Sequence, residues 1–143
     1  MKLPQAIIVD VDFTVANNGH RDPYDFSEKV LDDLPIVPMI HLVNGLVQVS
    51  EYYPIFLTGR NEICREHTKK WLDKHFNFKY TLIMKALENQ RGRTSIFKEK
   101  MYKEQIQDQY NVFLVIDDDN RNVKMFRSLG LDVLQPHILA RKN

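Results

Sequence analysis

The stretch Ile7-Ile8-Val9-Asp10-Val11-Asp12-Phe13-Thr14 constrains the fold more than any other part of the chain. A β-branched apolar run this short, broken abruptly by aspartates, reads as a buried parallel strand over about residues 5–12. Such a strand needs helices on both faces, and its C-terminal end opens where open α/β sheets bind ligands. Side chains two apart on a strand share a face, so Asp10 and Asp12 are expected to leave it on the same side. Two carboxylates that close repel each other, and they persist where a cation sits between them or where one is protonated. Ordinary loop-opening polar residues would give the same pattern, so the reading depends on what the other strand ends carry.

Taken in order, the chain alternates. Residues 16–25 are rich in turn formers and make a loop, followed by a weakly helical piece at about 27–34. Pro35 and Pro38 open a helix to about residue 52, with Met39, Leu42, Val43, Leu46 and Val49 at helical spacing. Ile55-Phe56-Leu57 is a second strand ending in Thr58-Gly59-Arg60. Asn61 is a fair N-cap for a helix to about residue 76, with Trp71 and Leu72 toward the core. Residues 81–84 form a third strand, and a polar stretch, 88–93, leads to a helix capped by Thr94 or Ser95 and ending near Tyr110. The fourth strand, 112–116, ends in Asp117-Asp118-Asp119. A helix over about 121–129 stops at Gly130, and 132–134 closes the pattern as a fifth strand. The β-α alternation predicts a parallel sheet between two helical layers. Three strand ends then bring Asp-x-Asp, Thr-Gly-Arg and Asp-Asp-Asp to one edge of that sheet.

Composition sets the outer bounds. With 143 residues, 43% hydrophobic and 27% charged, the chain suits one soluble domain with one core. A net charge of +1 argues against a non-specific coat for nucleic acid but leaves room for a local basic groove. No apolar run approaches the roughly 20 residues of a membrane span. No signal peptide is legible ahead of the first strand, and the single cysteine, Cys64, fits a reducing, cytoplasmic setting.

Asp10 and Asp12, with Asp117 or Asp118, would make an oxygen nest for a hard cation, and Mg²⁺ fits best. No His/Cys spacing suggests zinc. One aspartate could attack phosphorus while the other protonates the leaving oxygen and then activates water. The Thr58 hydroxyl and backbone N–H groups near Asp12 and Gly59 would serve the phosphoryl oxygens. Asp118 and Asp119 could instead cap a helix, which accounts for one acid only. Lys98, in the first turn of its helix, is a surface lysine unless it turns into the acids and offsets their charge. Arg21 and Arg60 could clamp phosphate as bidentate forks. Lys85, Arg91 and Arg93 could extend a positive track for a polyanion. The five histidines are scattered and receive no role.

Asp10-x-Asp12-x-Thr14, Thr58, Lys98 and Asp117-Asp118, in that order on successive elements, resemble the four signature motifs of the haloacid dehalogenase superfamily. The resemblance implies Asp10 as nucleophile, Asp12 as general acid/base, Thr58 and Lys98 as catalytic phosphoryl binders, and Asp118 as the main Mg²⁺ acid of motif four. It also implies a Rossmann-like, three-layer α/β/α fold with strand order 5-4-1-2-3. Residues 1–143 make one domain on this reading, with a short cap-like insertion at about 16–36. Arg21-Asp22-Pro23-Tyr24-Asp25, Thr58-Gly59-Arg60, Lys69-Lys70-Trp71-Leu72, the Lys98 helix and Val115-Ile116-Asp117-Asp118 look like the 3′-phosphatase domain of bacteriophage-type polynucleotide kinases. That likeness places Thr14, Arg21, Gly59 and Arg60 with the substrate, and the host cytoplasm is the setting if the chain is viral. Three positions depart from the pattern: Phe13 for a glycine, Thr94 for an acid, and Asp119 for a basic residue.

The expected activity is Mg²⁺-dependent removal of 3′-phosphate from nucleic-acid ends. A phosphatase for small nucleotides or other phosphomonoesters is the alternative within enzymes. A catalytically silent binding module on the same fold is the alternative outside them. A phosphorelay receiver does not fit, because its phosphoacceptor would end the third strand, where this chain has Met84-Lys85.

Overall fold

The computed structural model describes residues 2–86 and 92–137. Five strands form the main sheet: β1 (Gln5–Val9), β4 (Tyr53–Asn61), β5 (Thr81–Lys85), β6 (Asn111–Ile116) and β7 (Val133–Leu134). Their order is β5-β4-β1-β6-β7, and every pairing is parallel. Read from the β7 edge and counted along these five strands, this is the expected 5-4-1-2-3. A second, two-stranded antiparallel sheet, β2 (Ala16–Asn17) with β3 (Leu34–Pro35), was not expected; it ties together the two ends of the segment that follows β1.

Strand alternation decides the layers. In β1, Ile7 and Val9 face one core cluster while Ala6 and Ile8 face the other. The first cluster packs against Ile40 and Val43 of α1 (Val37–Ser50) and against Trp71 and Leu72 of α2 (Arg65–His75). The second packs against Phe97 of α3 (Thr94–Met101) and Met125 and Phe126 of α4 (Asn120–Ser128). Both faces of β1 are thus dry, which is why its sequence runs continuously apolar.

Several elements differ in detail from the sequence reading. β1 ends at Val9 rather than near residue 12, because the chain turns there and Phe13 takes a left-handed φ of 58°. The second strand runs much further than 55–57 and carries Thr58-Gly59-Arg60 within it. The α1 stripe is Met39, Ile40, Val43, Leu46 and Val47, so Leu42 and Val49 lie off it and stay exposed. The piece expected to be weakly helical is a 3-10 turn, Glu28–Asp32, capped by Ser27. The helix expected to reach Tyr110 changes after α3 into a π turn, Tyr102–Ile106. Among the described residues no helix is long and apolar enough to cross a membrane.

Candidate active site

β1 lies between β4 and β6, so their C-terminal ends meet at its own. The Asp10 N–H donates to the Ile116 carbonyl at 2.9 Å, which sets Asp10 beside Asp117 and Asp118. Carboxylate oxygens of Asp10, Asp117 and Asp118 lie within 4.8 Å of one another, and all three residues are buried. Lys98 reaches into this cluster from α3. Its Nζ donates to Asp10 Oδ1 at 2.8 Å and to Asp117 Oδ2 at 2.7 Å, and the residue is 1% exposed. Thr14 Oγ1 closes the other side, 3.0 Å from Asp10 Oδ2 and 3.2 Å from Asp118 Oδ1. Asn122 Nδ2 donates to Asp117 from α4.

The electrostatics follow from that crowding. Burial, then the Asp117 charge, push the Asp10 carboxyl well above the ordinary aspartate range, against the pull of Lys98. Burial works against the Lys98 ammonium as well, but Asp10 and Asp117 outweigh it and hold Lys98 protonated. Three carboxylates around one ammonium leave an excess of negative charge. A hard divalent cation fits this all-oxygen set, and Asp10, Asp117 and Asp118 are the side chains that would hold one.

Asp12 does not join them. Alternation carries on past Val9, with Val11 still packed beside Ile7 and Val9, but the Asp12 carboxylate is taken by a second, cationic cluster. Arg60 Nη2 donates to Asp12 Oδ1 at 2.8 Å, and its Nε lies 3.1 and 3.2 Å from the two oxygens. Asn18 Nδ2 adds a bond of 3.0 Å. Burial disfavours the Asp12 charge, yet the Arg60 guanidinium outweighs it, with help from Arg21, and its carboxyl sits below the ordinary range. The two aspartates expected to share one environment therefore occupy opposite ones.

Arg21 and Arg60 are buried rather than extended toward solvent as open clamps. Both converge on Asp33, which the sequence reading missed. Asp33 accepts from Arg21 Nε at 2.8 Å, Arg21 Nη2 at 2.9 Å and Arg60 Nη2 at 2.7 Å. His20, given no role from sequence, places Nε2 2.8 Å from the same carboxylate. Trp71 Nε1 holds the Asp33 backbone carbonyl at 2.7 Å. Two arginines aimed at one site with a single acid between them were the available signal for a missing partner.

The remaining candidates fall as follows. Thr58 is buried at the sheet edge, and its Oγ1 accepts the Arg60 N–H at 3.1 Å. Lys85 is buried and donates to the Gly92 carbonyl instead of lining a surface track, while Arg93 is exposed just ahead of α3. Arg91 lies outside the described residues. Asp119 caps α4, accepting from the N–H groups of Arg121 and Asn122 at 2.9 and 3.3 Å, so capping is the work of Asp119 and not of Asp118.

Gly59 has a steric role. A Cβ there would lie 2.8 Å from Thr94 Cγ2 and 2.9 Å from Thr94 Oγ1, the first residue of the helix that carries Lys98. Gly59→Ala is expected to cost about 1–3 kcal/mol by overpacking. Thr94→Ala in the same chain should restore most of it, since both crowded atoms are then gone. A double-mutant cycle by urea unfolding checks this, and strict additivity of the two changes would show that the contact is not responsible.

The comparisons identify the family and the fold. The family profile described as the polynucleotide kinase PNKP phosphatase domain matches residues 4–137. A protein of Autographa californica nuclear polyhedrosis virus, provisionally named a bifunctional polynucleotide kinase/RNA ligase, is 33% identical over 131 residues. That match takes in 91% of this chain and 19% of the viral protein. A chain in the solved structure of the Pnkp1/Rnl/Hen1 RNA repair complex superposes with a TM-score of 0.84 at 34% identity, over 94% of this chain and 42% of that one. This chain therefore spans less than half of either relative. The class C acid phosphatase from Bacillus anthracis, at 13% identity and a TM-score of 0.65 over 98% of this chain and 69% of its own, shares the fold. With the profile matched along nearly its whole length, the chain belongs to the phosphatase-domain family of polynucleotide kinases, within the haloacid dehalogenase superfamily.

Proposed function

We propose that the chain hydrolyses 3′-phosphate monoesters at nucleic-acid ends through an aspartyl-phosphate on Asp10, with Mg²⁺ as cofactor. One observation carries the reading. Two aspartates two residues apart sit in opposite electrostatic settings, one among acids and an ammonium, the other between guanidiniums. Lys98, and a divalent cation if held by Asp10, Asp117 and Asp118, would keep Asp10 ionised for attack, while Asp12, turned out of that cluster, is the carboxyl left to exchange protons.

In the first step an Asp10 oxygen attacks phosphorus and the bond from phosphorus to the 3′-oxygen breaks. The electron pair stays on that oxygen, which takes a proton from Asp12. The incoming phosphoryl charge favours the protonated form of Asp12, against the pull of Arg60. In the second step Asp12 takes a proton from water, the water oxygen attacks the aspartyl-phosphate, and phosphate leaves Asp10 regenerated. Lys98 stays charged throughout and steadies Asp10 and the phosphoryl oxygens. The Thr58 hydroxyl, Thr14 and the Gly59 backbone serve the same oxygens, while Arg21 and Arg60 orient Asp12. Mg²⁺, when bound by Asp10, Asp117 and Asp118, supplies charge neutralisation for the phosphoryl group.

The substrate class is supported by the family and by the names of the relatives, which speak of polynucleotide kinase and RNA repair. We take residues 1–143 as one domain, 16–36 as a minimal cap closed by β2 and β3, and the cytoplasm as the site of action. The test is phosphate release from a 3′-phosphorylated oligonucleotide, a 3′-mononucleotide and a 5′-mononucleotide, with Mg²⁺ and after chelation. Release from the oligonucleotide, lost on chelation, is the expected result. Preference for a mononucleotide would move the substrate to small nucleotides, and no release from any would leave a binding module.

A further inference from the structure

The loop beyond Asp12 displays an aromatic ring that the protein itself does not use. Tyr24 is 82% exposed, and its side chain has no ring contact or hydrogen bond among the described residues. Leaving so large a side chain in water forgoes the stabilisation that burial would bring. Its backbone, by contrast, is pinned. The Asp25 N–H donates to the Asp22 carbonyl at 2.9 Å, closing a turn with Pro23 at its second position. Asp22 Oδ1 accepts the Tyr24 N–H at 2.8 Å, and Arg21 Nη1 donates to the Asp25 carbonyl at 2.9 Å. A ring on such a turn loses little freedom when something lands on it.

The same guanidinium connects the turn to the chemistry. Arg21 Nη2 lies 2.9 Å from Asp33 Oδ2 and 3.9 Å from Asp12 Oδ1. Asp12 is the acid for the leaving oxygen, so the leaving nucleoside lies on the Asp12 side of phosphorus. Arg21 thus ties the backbone of the turn that carries Tyr24 to the Asp12 side of the site. We infer that Tyr24 is the platform on which the base of the substrate's 3′-terminal nucleoside stacks. The inference rests on the 3′-phosphatase reading and adds the contact by which the nucleoside is held. Every base offers a π face, so the platform raises affinity for a base-bearing end with little sequence preference. It takes part in no proton transfer.

The experiment compares wild type, Tyr24→Ala and Tyr24→Phe on two 3′-phosphorylated oligonucleotides that differ only in whether the terminal sugar carries its base. Tyr24→Ala is expected to raise KM about tenfold on the base-bearing end with kcat little changed, and Tyr24→Phe to behave as wild type. All three proteins should be alike on the abasic end, and thermal melts should coincide because the side chain is exposed. Equal KM for wild type and Tyr24→Ala on the base-bearing end overturns the inference, as does an equal loss on the abasic end. Absence of release by wild type from either oligonucleotide overturns the 3′-phosphatase reading, and this inference with it.

Discussion

Asp10→Asn is expected to lower phosphate release by at least about three orders of magnitude while leaving the protein as stable as before, or more stable. The first half follows from chemistry, since an amide is a poor nucleophile. The second half follows from the surroundings. In the metal-free protein the Asp10 carboxyl is crowded within 4.8 Å of two other carboxylates, with Lys98 Nζ between Asp10 and Asp117, and its ionised form is disfavoured there. The asparagine fits the same hydrogen bonds: its oxygen accepts from Lys98 Nζ where Asp10 Oδ1 did, and its amide donates to Thr14 Oγ1 where Oδ2 accepted. An acid disfavoured by its acidic neighbours is replaced by a neutral group, and the bonds to Lys98 and Thr14 keep their partners. Steady-state phosphate release and urea unfolding, both on metal-free protein returned to Mg²⁺ for the assay, check the two halves. Substantial residual turnover would remove Asp10 from the nucleophile's role.

Asp33→Ala carries the largest stability effect we expect, a loss of about 3–5 kcal/mol. The Asp33 side chain is fully buried and accepts three bonds from the guanidiniums of Arg21 and Arg60, neither of which reaches solvent. Without it, Asp12 is the one acid left to the two buried cations among the described residues, and a buried charge stripped of its partner keeps its full desolvation cost. Against a total stability of about 5–15 kcal/mol this is a large fraction. The exposed pair Lys69–Asp73, at 2.7 Å, serves as the contrast. Breaking it with Lys69→Ala should change stability little, because exposed pairs are screened. Urea unfolding of both variants makes the comparison. An unfolding free energy for Asp33→Ala close to that of Lys69→Ala would show that the arginines find other acceptors.

The sheet was legible because its signals are local. Ile7-Ile8-Val9 and 112–116 are short, β-branched and bounded by polar residues, and a run of that kind has few ways to be buried other than as a strand between two helical layers. Gly130 marks the end of α4 by chemistry confined to a turn, whereas Asn61 caps a 3-10 turn, Glu62–Cys64, that precedes α2, not α2 itself. Once the strands are parallel, Asp10, Thr58 and Asp117 must meet at one edge. Lys98 was ambiguous from position alone. It entered through the family resemblance, and the structure places it between Asp10 and Asp117.

What stayed hidden depends on which charges find each other across the fold. Asp12 was assigned to the acids by strand alternation. Alternation holds through Val11, but it does not fix which charge a carboxylate meets, and Arg60, forty-eight residues further on, takes that of Asp12. Asp33 directly follows a short 3-10 turn, with nothing local to set it apart from Asp32, and only the packing of that turn against α2 brings it to both arginines. Lys85 looked like a surface cation until Gly92 was seen to hold it inside. The order of elements and the chemistry at the strand ends were the sequence's to determine, because propensity and alternation act over a few residues. The pairing of buried charges was decided by tertiary structure alone. A desolvated charge takes the partner that folding brings within reach, and no local pattern records which one that is.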